Sequence, residues 1–212
     1  MKHAGSIELF QYWNRMRAGR PAPARSEIEP ADIRTLLADT FILEQDLRGT
    51  PIFRLAGTRL CALFGRELKG FSFLSLWPEV NRRMMERLTS AVFDARSVSV
   101  ISVEGISRNS RVNRFELLML PLAGEPGAGR ALGALSAIEK PFWLGADPLI
   151  EIRAGAVRVI DPDREPMFLK NNPDIVVPRM APSLASLQST GTGEPVRKIR
   201  HLTVISGGKD ES

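Results

Sequence analysis

The chain has one cysteine in 212 residues, and that scarcity removes two architectures at once. No internal disulfide can form and no cysteine-built metal site can be assembled; a lone thiol fits a reducing compartment. Histidine is nearly as rare, with only His3 and His201. No apolar run approaches the roughly 20 residues that a membrane helix needs. The opening "MKHAGSIELF" lacks a long apolar stretch followed by a small-residue cleavage site. No secretory signal is therefore expected, and the cytoplasm is the expected compartment. The glycine-bearing stretches "AGEPGAG", "GTGEP" and "SGG" lack the Gly-x-x-x-x-Gly-Lys-Ser/Thr order of a phosphate loop and read as turns or linkers.

What remains is a globular composition. Hydrophobic residues make up 43% and charged residues 25%, enough apolar material for one domain with extensions. The formal net charge of +5 biases the chain toward acidic partners.

The periodicities give an element order. "SIELFQYWNRMR" carries Ile7, Phe10, Trp13 and Met16 at helical spacing, with Ser6 as candidate N-cap. That aromatic face either packs on its own domain or forms a dimer contact. A basic, proline-containing connector, "GRPAPARSE", follows, then a short helix in "EPADIRTLLAD" with Pro30 at its first position. "TFILEQD" and "PIFRLAG" read as strands. The best helix is Asn81–Ala95, with Met84, Met85, Leu88, Val92 and Phe93 on one face. Three further strands, "SVSVISVEGI", "NRFELLMLPL" and "ALGALSAIEK", are joined by connections short enough for antiparallel hairpins. "IEIRAGAVRVI" alternates well enough for a hairpin or edge strand. Beyond Asp161, Pro, Ser, Thr and Gly dominate and a partly flexible tail is expected. The expected organisation is an amphipathic helix and connector over 1–25, a domain over 26–145, and an extension over 146–212.

This order, with "FRLAGTRLCALFGRELKGFSF" between the second strand and the long helix, resembles PAS domains. It is similar to the single-domain PAS proteins of alphaproteobacteria, through Trp13, Arg17, Pro23, Arg25, Ile28, Pro30 and Ile33, then the strand Phe115–Leu122. The resemblance runs from about Ile7 to Glu139. It implies an α+β fold with a five-stranded antiparallel sheet, helices on one face, and a small enclosed pocket. By alternation, Leu60, Cys61, Phe64, Phe73, Trp77, Met85, Leu88, Val92, Leu117 and Met119 line that pocket, as a packed core or as ligand walls.

The chemistry is sparse. Haem-binding PAS domains supply a histidine from the long helix, and this helix has none, so haem is not expected. Cys61 lies one helix too early for a flavin photoadduct, and it reads as a small buried hydrophobe. No metal site is expected. Glu104, Glu116 and Glu139 fall on strands and read as the solvent face of the sheet. Arg15, Arg17, Arg20 and Arg25 cluster near one end, and Arg197, Lys198, Arg200 and His201 near the other. If the ends meet, they form a surface for a nucleotide or an acidic protein; otherwise they are solvated charges. No helix-turn-helix pattern or interleaved aromatics point to nucleic acid.

The expected function is thus a non-enzymatic signalling or adaptor protein that works by protein association, as a homodimer through Ile7, Phe10, Trp13 and Met16. The alternative is a sensor for an apolar metabolite or nucleotide. A third reading, a small hydrolase, requires His201 on the tail to meet Ser206 or Cys61.

Overall fold

The segment "FELLMLPL" has no polar alternation, which a strand tolerates only when both of its faces are covered. In the computed structural model, which describes residues 1–124 and 129–163 and the backbone of 198–199 and 202–203, this is what happens. The segment lies within β4 (Val112–Leu122), whose last eight residues are all buried. Strands β1 (Thr40–Gln45), β2 (Pro51–Ala56), β3 (Val98–Ser107), β5 (Arg130–Ala137) and β6 (Leu149–Ile160) complete a sheet of order β2-β1-β5-β4-β3-β6. Every pairing is antiparallel.

The two faces carry separate cores. On the inner face, α2 (Thr58–Phe64) and α3 (Glu79–Asp94) pack with Leu43, Phe53, Ile101, Phe115, Leu117 and Met119. On the outer face, α1 (Ala4–Arg17) lays Leu9, Phe10, Tyr12 and Trp13 over Val98, Val100, Leu118, Leu120, Leu122, Leu132 and Ile160. Consecutive residues of β4 therefore serve opposite cores, Leu117 and Met119 one and Leu118 and Leu120 the other.

Several expectations change here. The sheet has six strands, not five, because "IEIRAGAVRVI", expected as a hairpin or an edge strand, forms one long edge strand beside β3. Helices cover both faces, not one. The first compact unit, Met1–Asn171, takes in both α1 and β6, which the composition sets apart as extensions. "EPADIRTLLAD" forms 3-10 turns at Pro30–Ile33 and Leu37–Asp39 in place of a helix. In the second unit, Asn172–Ser212, the described backbone is one antiparallel pair, Lys198–Ile199 with Leu202–Thr203. The expected flexible tail otherwise lies outside the described residues.

Helix α1 starts earlier than its apolar spacing suggests. His3 is the N-cap and its Nδ1 accepts from the Gly5 amide at 3.1 Å. Ser6, the expected cap, is instead fully buried with no hydrogen-bond partner among the described residues. Glu116 completes the start of the helix: its carboxylate accepts from the Lys2 and His3 amides at 2.7 and 3.1 Å. Glu116 is buried, so it is not the solvent-face residue its strand position suggests; it satisfies donors that the helix leaves free.

The two glycines that flank α2 differ in their reasons. Gly65 ends α2 with φ +61°, the left-handed cap conformation that glycine adopts without cost. Gly57 has an ordinary φ of −68°, but a Cβ there would lie 2.2 Å from the Leu37 carbonyl oxygen. Close backbone approach, not turn geometry, requires glycine at that point.

Candidate functional site

The inner cup is walled by α2, α3 and the inner face of the sheet. All ten residues expected to line it come together in one apolar cluster, eight buried and Cys61 and Leu88 packed at its margin. Its centre is aromatic. Phe41 and Phe53 meet edge-on at 5.6 Å, Phe41 and Phe73 stack at 6.1 Å, and Phe53 and Phe73 meet at 5.8 Å. Trp77 closes the group against Phe73 at 5.7 Å. Phe41 and Phe53 belong to this centre although their strand positions alone did not single them out. The available signal was Gly133, opposite Phe41 on β5, which leaves room for the ring to lie across the strand.

Two polar groups stand in or beside the cup. Trp77 is 1% exposed, and its indole N–H has no hydrogen-bond partner among the described residues. An unmet buried donor costs about 1–3 kcal/mol, so this is the group in the cup with most to gain from an acceptor. Cys61 is half-buried, its Sγ 3.6 Å from Glu67 Oε1. Burial pushes its thiol pKa up, and the Glu67 carboxylate adds to that. A thiol held protonated is a poor nucleophile.

The surfaces outside the cup are more polar. Helix α1 leaves part of the outer face open. Beyond its first residues, Ser102, Glu104, Arg114, Ile138, Arg153 and Gly155 border an open groove of about 650 Å³. Arg114 pairs with Glu139 at 3.0 Å and Arg153 with Glu151 at 2.6 Å, so the groove carries both signs of charge.

The expected dimer contacts are placed differently from their sequence reading. Phe10 and Trp13 are 1% and 0% exposed against the chain's own sheet, and Ile7 and Met16 are half-buried. The aromatic face of α1 is thus an internal packing face.

The amino-terminal basic cluster also separates in space. Arg17 is buried and bonds Asn14, the Arg20 and Pro162 carbonyls and Asp163. Arg20 pairs with Glu27, and Arg15 lies over the Tyr12 ring. Arg25 faces a concavity, and its companions there, Arg54, Lys69 and Arg130, are far apart in sequence. The carboxy-terminal basic cluster and the His201 and Ser206 of the hydrolase reading lie outside the described residues in their side chains.

Among the described residues no group of three His, Cys, Asp or Glu side chains could hold a metal ion. No described helix is long and apolar enough to cross a membrane.

Comparison with known proteins agrees with this geometry. The family described as "PAS domain" matches residues 1–136, from α1 through β5. Among solved structures, the chain is similar to RsLOV carrying an aspartate-to-glycine substitution, at 18% identity and a TM-score of 0.37, over 51% of this chain and 67% of that one. No curated protein matches.

Proposed function

The chain belongs to the PAS domain family, a family of signalling and sensing modules, and from that premise we propose that it is a non-enzymatic signalling module acting by association with another protein. The observation that carries this reading is the aromatic centre of the cup. Phe41, Phe53, Phe73 and Trp77 contact one another where a pocket ligand would sit. Protein interiors pack nearly as densely as organic crystals, so a guest there would have to displace these rings.

The outside favours association. The open part of the sheet's outer face carries both signs of charge, which suits recognition of a polar partner surface. A second copy of the chain is one such partner, met through this open face and not through Phe10 and Trp13. The raised thiol pKa of Cys61 argues against a nucleophile. A reducing interior such as the cytoplasm fits the single cysteine.

One observation favours the sensor reading: the unmet Trp77 indole N–H gives the cup a donor for an acceptor-bearing apolar ligand. Native mass spectrometry with an absorption spectrum of freshly purified protein separates the two. The association reading expects the mass of the polypeptide alone and no band beyond the aromatic absorption. A co-purifying small molecule or a visible band would transfer the function to the sensor reading.

A further inference from the structure

Strand β2 breaks its alternation at one place, and the break faces a concentration of positive charge. In the pairing with β1, Ile42 is opposite Leu55 and Leu43 is opposite Phe53, so Arg54 is an extra residue, a bulge. Bulges re-aim side chains. Here Phe53 stays in the inner core while Arg54 and Leu55, neighbours in sequence, are both exposed.

Three other cations meet Arg54 at this corner. The Gly70 amide donates to the Phe53 carbonyl at 2.7 Å and the Phe53 amide to the Phe71 carbonyl at 3.0 Å. That short pairing ties Lys69 to the edge of β2 next to Arg54. Arg130, the first residue of β5, is opposite Glu44 on β1. The Nε atoms of Arg54 and Arg130 lie 3.9 and 3.8 Å from the same Glu44 oxygen, so the two guanidinium groups converge on one point. Arg25 enters from the connector, anchored by its Nη1 donating to the Ile28 carbonyl at 3.2 Å. These residues, with Ile42 and Leu55, line a pocket of about 380 Å³. Four cations line the pocket, and two of them share the Glu44 carboxylate. Like charges brought this close repel, and an incoming anion relieves that repulsion.

The pocket is not purely polar. It shares Arg25, Ile42 and Leu55 with an adjoining groove of about 210 Å³, walled by Ile28, Ile33, Leu37 and Leu132. Leu55 is 48% exposed at the junction. A charged pocket opening into an apolar groove is complementary to a molecule with the same division.

We infer that this corner binds a small amphipathic anion, with a carboxylate, sulfonate or phosphate head among Arg25, Arg54, Lys69 and Arg130 and an aromatic or short aliphatic body along Leu55, Ile33 and Leu132. The pocket size lies in the range of small-ligand sites. The charged pocket shares no residue with the inner core, the apolar groove shares Phe41, and the inference stands whether the module works by association or by a ligand in its core.

The test is a fluorescence titration of the full chain with 8-anilinonaphthalene-1-sulfonate, a sulfonate on an apolar body. The expected result is saturable one-to-one binding. Arg54→Gln with Arg130→Gln weakens it by about tenfold or more, because two of four head-group charges are lost. Leu55→Ser weakens it several-fold, phenyl phosphate competes better than inorganic phosphate, and Arg83→Gln on α3 changes nothing. Thermal midpoints check that each variant is folded, and the exposed Arg54→Gln alone serves if the double variant is not. The inference is overturned by no saturable binding, by undiminished affinity in the folded arginine variants, or by equal competition from inorganic phosphate. Binding to phosphatidylglycerol vesicles without binding of the soluble probe also overturns it, in favour of a membrane surface.

Discussion

Replacing Trp13 by alanine is expected to destabilise the domain by about 4 kcal/mol, the upper part of the range for large-to-small core changes. Trp13 is fully buried, stacks on Phe10 at 6.0 Å and lies beneath the Arg17 guanidinium at 5.6 Å. Its Nε1–H donates to the Pro121 carbonyl at 2.7 Å. Pro121 lies past the end of the β3–β4 pairing, which stops at Ser99 and Met119, so its carbonyl finds its partner in the helix. Alanine loses the ring, leaves a cavity over Leu118, Leu120 and Leu122, and orphans that carbonyl. Trp13→Phe keeps most of the packing and loses the hydrogen bond, so a smaller cost of about 1–2 kcal/mol is expected. Urea unfolding measures both. A loss below 1 kcal/mol for Trp13→Ala would mean that α1 is an appendage and not a layer of the fold. The same reasoning bears on removing residues 1–18. Such a truncation uncovers the outer core, so any change in oligomeric state would reflect exposed sheet and not the loss of a dimer helix.

The second large effect is expected at Gly133. A Cβ there would fall 2.2 Å from Phe41 Cζ, inside any permissible contact. The ring cannot retreat easily, since Phe53 and Phe73 pack against it. Gly133→Ala should therefore cost about 3 kcal/mol, as overpacked core substitutions do. The cause is testable by a double-mutant cycle. Phe41→Leu creates space at the same point, so the pair should be less destabilised than the sum of the singles by about 1–2 kcal/mol. Simple additivity would show that the cost arises from the backbone of β5 and not from the ring. Both substitutions act on the same feature, a sheet with aromatic side chains packed on each of its faces.

How far the sequence revealed this differs by element. Helix α3 was legible because its apolar residues follow one stripe, and Met85, Val92 and Phe93 are buried while Met84 and Leu88 are half-buried. The antiparallel order of β3, β4 and β5 followed from the short connections. The placement of α1 was harder. Its aromatic face is equally suited to an internal sheet and to a partner, and helical periodicity does not distinguish them. The decisive clue lay in β4, whose apolar run from Leu117 to Leu122 requires cover on both faces. Once α1 is placed over Leu118 and Leu120, counting back by two puts Glu116 at the start of the helix, where it binds the free amides.

The ten cup residues were legible through alternation and helical spacing, yet whether they form walls or filling was not. That depends on Phe41 lying across Gly133, a packing relation between strands far apart in sequence. The basic corner was less legible still. Arg25, Arg54, Lys69 and Arg130 are each unremarkable in their local sequence, and a single bulge residue decides that Arg54 and Leu55 turn outward together. Sheet topology brings them together, and no short stretch of sequence encodes it.

In the proposed function the cup is filled by the chain's own rings and recognition takes place on its outside. A high-resolution crystal structure of protein purified from its native host tests this most directly. The expected result is Phe41, Phe53, Phe73 and Trp77 packed together, with no density between them beyond protein. Density for a small molecule among those rings, accepting a hydrogen bond from Trp77 Nε1, would contradict it.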